Sequence, residues 1–384
     1  MKSVLVIADD FTGAAEIAGI GLRYGLPAHM ARDVPPPWRK GLTVIDTDTR
    51  LLPPEEAYKR VQHLLSRLST SHFDLVYKKV DSVMRGPVLA ELEAVMSSLR
   101  RPGVLLAPQN PSRGRIIRGG EYRIGGAPLY ATAFANDPEY PARTAQVLEL
   151  LGKSARYATA YADPGDPVLQ DGITICGGWE LDDLQHWAAK AGSRLLPAGG
   201  GDFFEAMLQR SGFEAIGLRA PALPQGSVLL VCGSTSAYGR DVMARAEHRG
   251  MAICPMPDEL FNRPDPASKR VVSWASEIIA SLRESGSALI IITHPIDPSG
   301  ERPKRLTSVL AEVVGRVLRE QPVDNLLMEG GATGSAVCRH MGWHTFRVVG
   351  ELAVGVVLME IFEAPVRNVV VKPGSYRWPE AVWH

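Results

Sequence analysis

The sequence predicts an α/β protein of two domains, each a mainly parallel sheet flanked by helices, with the active site in the cleft between them. Three observations predict it. Short β-branched runs alternate with stretches of helical periodicity, the rhythm of parallel strands joined by helical crossovers. The chain has 384 residues, about twice an ordinary domain of roughly 100–200 residues. Residues 218–226 hold two prolines and a glycine without helical periodicity. They mark a linker between a first domain over 1–217 and a second over 227–384.

In the first domain Val4–Ala8 reads as a buried strand, followed by a helix from Gly13 to Tyr24. Leu42–Asp46 and Leu75–Lys78 read as the next strands, with a helix over Pro54–Leu68 between them. A helix over Pro87–Leu99 and a strand over Val104–Ala107 follow. Residues 108–142, rich in Pro, Gly and Arg, break the rhythm and read as a long loop or hairpin on the substrate side. Gly172–Cys176 and Glu180–Ala191 resume it weakly. The second domain has strand patterns at Val228–Cys232, Ala252–Cys254, Ala288–Thr293, Leu326–Glu329 and Val369–Lys372. Its helical patterns cover Ala237–Arg249, Ala267–Arg283, Leu306–Arg319 and Thr333–Met341.

Composition excludes several classes. Lys and Arg number 42, as do Asp and Glu, so the formal charge is zero. A protein that coats nucleic acid or an anionic membrane carries a basic excess. The apolar runs are about five residues long, far from the ~20 of a membrane span. Met1-Lys2-Ser3 leads into a strand pattern and then Asp9-Asp10, without the apolar core of a signal peptide. Cys176, Cys232, Cys254 and Cys338 are far apart, which fits reduced thiols and a cytoplasmic setting.

In open α/β sheets ligands bind at the carboxyl ends of strands. The first strand runs into Asp9-Asp10-Phe11-Thr12-Gly13 and the second into Asp46-Thr47-Asp48-Thr49-Arg50. The third runs into Lys79-Val80-Asp81-Ser82-Val83-Met84-Arg85-Gly86, and the fourth into a segment holding Gln109, Asn110, Ser112, Arg113 and Arg115. Any one of these could be a helix cap. Four at one sheet edge suit a polyhydroxy acid, with cations for its carboxylate and Asp, Ser or Thr for its hydroxyls. In the second domain Gly233-Ser234-Thr235-Ser236 and Gly330-Gly331-Ala332-Thr333 follow strands, and Lys372-Pro373-Gly374 follows another. Such loops let backbone N–H groups approach a phosphate.

These motifs, in this order, resemble the four-carbon acid sugar kinases, ATP-dependent enzymes acting on threonate, erythronate and oxo-tetronates. The shared segments are Asp9 to Ala14, Asp46 to Arg50, Lys79-x-Asp81-Ser82-x-x-Arg85-Gly86, Gly330-Gly331-x-Thr333 and Lys372-x-Gly374. The resemblance implies a sugar-acid domain followed by a nucleotide domain. It implies a substrate pocket lined by Asp10, Arg50, Lys79, Asp81, Ser82 and Arg85, with Asp9 beside them. It implies ATP contacts from Ser234, from Gly330, Gly331, Ala332 and Thr333, and from Gly374, with Ser236 in the same loop as Ser234. The family usually has an acidic third residue in the Gly-Gly-x-Thr loop where this chain has Ala332. Glu329 is a candidate to stand in for that carboxylate.

Rival motifs fail on single residues. A haloacid-dehalogenase phosphatase needs a nucleophilic Asp where this chain has Ala8. The Walker-like Gly152-Lys153-Ser154 lacks the glycine five positions earlier, where Val147 stands. Gly19-x-Gly21 lies within a helix pattern, not at a strand–helix turn. His340 and His344 have a zinc-compatible spacing but read as residues at a helix end.

The expected reaction moves the γ-phosphoryl of ATP, with Mg²⁺, to a hydroxyl of a four-carbon sugar acid. Asp10 or Asp81 would deprotonate that hydroxyl, Lys79 would meet the developing charge, and Arg50 or Arg85 would hold the substrate carboxylate. Mg²⁺ would be held mostly by phosphates and water, without a dedicated protein site. The alternative is a catalytically silent sensor of the same fold. Nucleic acid and membrane partners are not expected, and a homodimer is the default assembly.

Overall fold

β1 (Ser3–Ala8) is apolar and buried on both faces, as a parallel strand covered by helices on each side must be. The computed structural model describes residues 2–32, 40–137, 139–217, 219–233, 239–296, 301–362 and 366–383. It divides into two compact units, Met1–Gly217 and Leu218–His384.

The first unit adds β2 (Ala28–Ala31), β3 (Gly41–Asp46), β4 (Leu75–Lys79) and β5 (Gly103–Ala107). Then come β6 (Arg115–Arg118), β7 (Glu121–Ile124), β8 (Ala127–Pro128), β9 (Thr159–Ala162), β10 (Gly172–Cys176) and β11 (Leu195–Gly199). Its main sheet runs β2-β3-β1-β4-β11-β5-β10-β9, and every pairing in it is parallel. Helices α1 (Phe11–Arg23), α2 (Pro54–Ser66), α3 (Val88–Leu99), α4 (Val147–Leu151), α5 (Leu181–Lys190) and α6 (Gly201–Arg210) surround it. On one face Val61 and Leu65 of α2 and Leu92 and Val95 of α3 pack with Ile7, Val104, Leu106, Ile173 and Ile175. Alternation along β4 sends Tyr77 the other way, where its ring lies 5.1 Å from that of Phe204 on α6.

The segment that interrupts the rhythm is a small antiparallel sheet, β6-β7-β8. Ile117, Tyr122 and Leu129 anchor it in the core beneath α3. The sequence patterns for β1, β3, β4, β5 and β10 agree with the structure to within a residue, whereas β2, β9, β11, α4 and α6 had no recognised signal. β11 is the instructive case. Its sequence, Leu-Leu-Pro-Ala-Gly, carries turn residues, yet it is a buried interior strand. Pro197 cannot donate to a ladder, and pairing with β4 is confined to Ala198 and Gly199.

The second unit contains β12 (Val228–Cys232), β13 (Ala252–Pro255), β14 (Ser287–Ile291), β15 (Asn325–Glu329), β16 (Thr345–Ala353), β17 (Val356–Ile361) and β18 (Asn368–Lys372). The order is β13-β14-β12-β15-β18-β17-β16. The first five strands are parallel, and β17 and β16 add an antiparallel extension that the periodicity had not revealed. Its helices are α7 (Gly239–His248), α8 (Asp258–Asn262), α9 (Lys269–Ser285), α10 (Arg302–Glu320) and α11 (Gly331–Met341). Among the described residues no helix is long and apolar enough to cross a membrane.

Candidate active site

The carboxyl ends of β3, β1, β4, β11 and β5 are neighbours in the first unit, so the polar segments after them share one edge. Asp10 leaves β1 in an extended conformation and caps α1, its Oδ1 accepting from the Gly13 N–H at 2.9 Å and its Oδ2 from the Thr12 hydroxyl at 2.7 Å. Arg50 arrives from the end of β3. Its Nε donates to Asp9 Oδ2 and its Nη2 to Asp10 Oδ1, both at 2.7 Å, and its Nη1 lies 3.5 Å from Asp81 Oδ1. Asp81, after β4, takes Arg85 as a fork, Nε on Oδ2 at 3.0 Å and Nη2 on Oδ1 at 2.8 Å. The remaining nitrogen of that fork, Nη1, donates to Asp137 at 2.7 Å.

Electrostatics follow from this packing. Burial pushes the Asp81 carboxyl up, but Arg85 and Arg50 overcome it and hold the group far below the usual carboxylate range. Asp9 is likewise lowered, with Arg50, Lys78 and Lys79 outweighing burial. Asp46 goes the other way. Burial and its neighbour Asp48 push it up to about 7 against the pull of Arg32.

Consecutive lysines at the end of β4 diverge to opposite faces. Lys79 donates to the Val80 carbonyl at 2.7 Å and stands 4.0 Å from Glu16 of α1, which also meets Arg113 at 3.4 Å. Lys78 turns beneath the site and pairs with Glu91 of α3 at 2.6 Å, with both side chains essentially excluded from solvent. Glu91 in turn accepts from the Thr49 hydroxyl at 2.6 Å, and Thr49 meets Thr47 at 2.6 Å. The loop carrying Arg50 is therefore anchored from below.

One point gathers the chemistry. A Cβ at Gly13 would stand 2.5 Å from Asp10 Oδ1, 3.2 Å from Lys79 Nζ and 3.8 Å from Arg50 Nη2. Only a residue without a side chain leaves the Asp10 carboxylate where it is, and Lys79 Nζ would also be crowded. Gly13→Ala is expected to displace the Asp10 carboxylate and to lower turnover at least tenfold while the thermal midpoint falls by only a few degrees, measured by initial rates and calorimetry.

Asp9, Asp10, Arg50, Lys79, Asp81, Ser82 and Arg85 are thus brought to one edge. Most donors of Arg50 and Arg85 are engaged within the chain by Asp9, Asp10, Asp81 and Asp137, while Arg50 Nη1 stands 3.5 Å from Asp81 Oδ1. Two contributors, Asp202 and Glu16, were missed as site residues, and Arg115 was named only within the segment after the fourth strand. Asp202 follows β11 and accepts from the backbone and hydroxyl of Ser112 at 2.9 and 2.8 Å. Glu16 reaches the site from one turn into α1, and Arg115 comes from β6, its guanidinium donating to the Ser82 hydroxyl.

In the second unit the ends of β12, β15 and β18 are adjacent. The Gly330 N–H donates to the Lys372 carbonyl at 2.9 Å, which sets the Gly330–Thr333 turn beside the turn holding Gly374. Gly330 has φ +95° and α11 starts after it, so the N–H groups of Gly331, Ala332 and Thr333 precede the first helical bond, from Gly334 to Gly330. Gly233, after β12, packs so closely that a Cβ there would lie 2.2 Å from Thr333 Oγ1. Ala332 is exposed. Glu329 is not available as its substitute. It is buried, paired with Lys372 at 2.8 Å, and accepts from Trp378 Nε1 at 3.1 Å. Ser234 and Ser236 lie outside the described residues.

Two family models match the chain. A model described as a sugar-binding N-terminal domain matches residues 4–192, and one described as a nucleotide-binding C-terminal domain matches 229–376. A sugar-binding unit joined to a nucleotide-binding unit defines the class, a two-domain α/β protein of the sugar-kinase kind. The chain belongs to the four-carbon acid sugar kinase family. Among its relatives, D-threonate kinase of Salmonella typhimurium is 27% identical, covering 91% of this chain and 89% of its own. D-erythronate kinase of Heliobacterium modesticaldum is 25% identical over 88% and 85%, and 3-oxo-tetronate kinase of Actinobacillus succinogenes 23% over 97% and 96%. A solved Haemophilus influenzae structure shares the fold, with a TM-score of 0.69 at 22% identity over 98% of each chain.

Proposed function

We propose that the protein transfers the γ-phosphoryl of ATP to a hydroxyl of a four-carbon sugar acid. The observation that carries this reading is the meeting of the Asp10 carboxylate, Lys79 Nζ and the Arg50 guanidinium around Gly13. A carboxylate that can take a proton, flanked by cations that can stabilise transferring charge, is what phosphoryl transfer to an alcohol requires. Asp10 orients and deprotonates the acceptor hydroxyl, Lys79 faces the transferring phosphoryl, and Asp81 holds Arg85 and Arg50 in place. Gly330–Thr333 and Gly374 receive the nucleotide phosphates through backbone N–H groups. Mg²⁺ would be held mostly by those phosphates and water. Among the described residues no three His, Cys, Asp or Glu side chains are grouped to hold a metal ion by themselves.

The test is ADP release with ATP and a panel of threonates, erythronates and oxo-tetronates of both hands. Saturable turnover with one of them is the expected result. Binding of acid and nucleotide without turnover would establish the silent sensor instead, and phosphate release from sugar phosphates without nucleotide would establish a phosphatase.

A further inference from the structure

We propose that Arg115, carried on the small antiparallel sheet, binds the carboxylate of the acceptor and sets the preference for acids over neutral polyols. The inference rests on the sugar-acid kinase reading and deepens it. A four-carbon acid brings one full negative charge, and a buried or half-buried carboxylate needs a cationic partner. Arg50 and Arg85, the arginines at the Asp10 edge, are largely engaged from within. Asp9 and Asp10 take Arg50 Nε and Nη2 and Asp81 and Asp137 take Arg85 at 2.7 to 3.0 Å, leaving Arg50 Nη1 at 3.5 Å from Asp81. A substrate that displaced Asp81 would leave a buried carboxylate unpaired, a strongly unfavourable exchange.

Arg115 differs in each respect. No carboxylate among the described residues pairs with it. Its hydrogen bond is to the Ser82 hydroxyl, a neutral acceptor. It is half-buried rather than solvated. Its guanidinium lies 5.5 Å from the centre of the Phe134 ring, and that of Arg85 lies 5.3 Å from the same centre. The ring restricts the fork, and Ser82 joins it to the segment that carries Asp81. The position is also built. Tyr122, fully buried on the neighbouring β7, donates its hydroxyl to the Ser82 carbonyl. The Arg- and Gly-rich segment therefore delivers to the substrate edge a guanidinium held by a neutral hydroxyl and suited to a carboxylate.

The experiment compares a sugar acid that the wild type phosphorylates with its neutral carboxamide, using wild type, Arg115→Met and Arg115→Lys. Arg115→Met is expected to raise KM for the acid on the order of 10–100-fold, the weight of a charged hydrogen-bonded contact. KM for the carboxamide should change far less, so the preference for the acid collapses. Arg115→Lys restores part of it, and KM for ATP stays within twofold. Calorimetric titration of acid and carboxamide gives the same comparison without turnover, and thermal midpoints report on folding. If Arg115→Met keeps the wild-type preference, or loses acid and carboxamide equally, the inference is wrong. If the wild type phosphorylates no four-carbon acid, the proposed function fails, and the titrations still decide whether Arg115 selects a carboxylate.

Discussion

Replacing Lys78 by Met is expected to destabilise the folded protein by about 3–5 kcal/mol, the typical result of removing one partner from a buried ion pair. Lys78 and Glu91 meet at 2.6 Å, with 0% and 1% of their side chains exposed. Without the ammonium, the Glu91 carboxylate keeps the Thr49 hydroxyl but loses its counter-charge. Burial already raises the Glu91 carboxyl above its ordinary value, and the mutation removes the strongest opposing influence. The orphaned group should take up a proton, so the defect of Lys78→Met shrinks as pH falls. Glu91→Gln orphans the ammonium instead and should cost a similar amount. The double replacement Lys78→Met with Glu91→Leu removes both charges and should recover most of the loss. Denaturant midpoints at constant m-value read all three. Single replacements that each cost under 1 kcal/mol would show that water reaches the pair. Thr49 also touches Thr47, and both precede Arg50, so the single variants should lose activity beyond what their stability explains.

This pair lies at the limit of what the sequence displayed. The parallel strands were legible because buried strands are continuous apolar runs, and the strand-end clusters because their residues contrast with those runs. Glu91 was not legible as a partner of Lys78, since it lies thirteen residues away in an ordinary helical pattern and only the packing of α3 on β4 joins them. Asp202 was missed with β11, whose Pro197 and Gly199 read as turn residues although the strand is interior. A buried apolar flank, Leu195-Leu196 before Pro197, was the available signal. β16 and β17 escaped for another reason. β16 alternates buried and exposed residues, a weaker signal than a solid apolar run. Arg50 and Arg85 were legible as site residues, but not how their forks were used. That depends on three carboxylates from two strand ends meeting in space, and Asp137 comes from beyond the small sheet.

Asp10→Asn is expected to lower kcat on the order of 10²–10⁴-fold, the usual weight of a general base, while KM for the acid changes little. The substitution is a clean probe because asparagine is as good a helix cap as aspartate, so its side-chain oxygen can still accept from the Gly13 N–H. What is lost is the ability to accept a proton. Asp81→Asn should behave differently. The residue is 3% exposed against 8% for Asp10, and its carboxylate accepts the Arg85 fork together with the backbone N–H groups of Val83 and Arg85. Held so far below the ordinary carboxylate range, it is too weak a base to compete for the proton of an alcohol. Neutralising it frees Arg85 and Arg50, so the loss should appear first in KM for the acid and in the thermal midpoint. Single-turnover rates separate the two cases from product release. If Asp81→Asn abolishes the chemical step and Asp10→Asn keeps it, the roles are exchanged. If both variants turn over at near wild-type rates, alignment and charge stabilisation carry the reaction without a protein base, an outcome that a loose phosphoryl-transfer transition state permits.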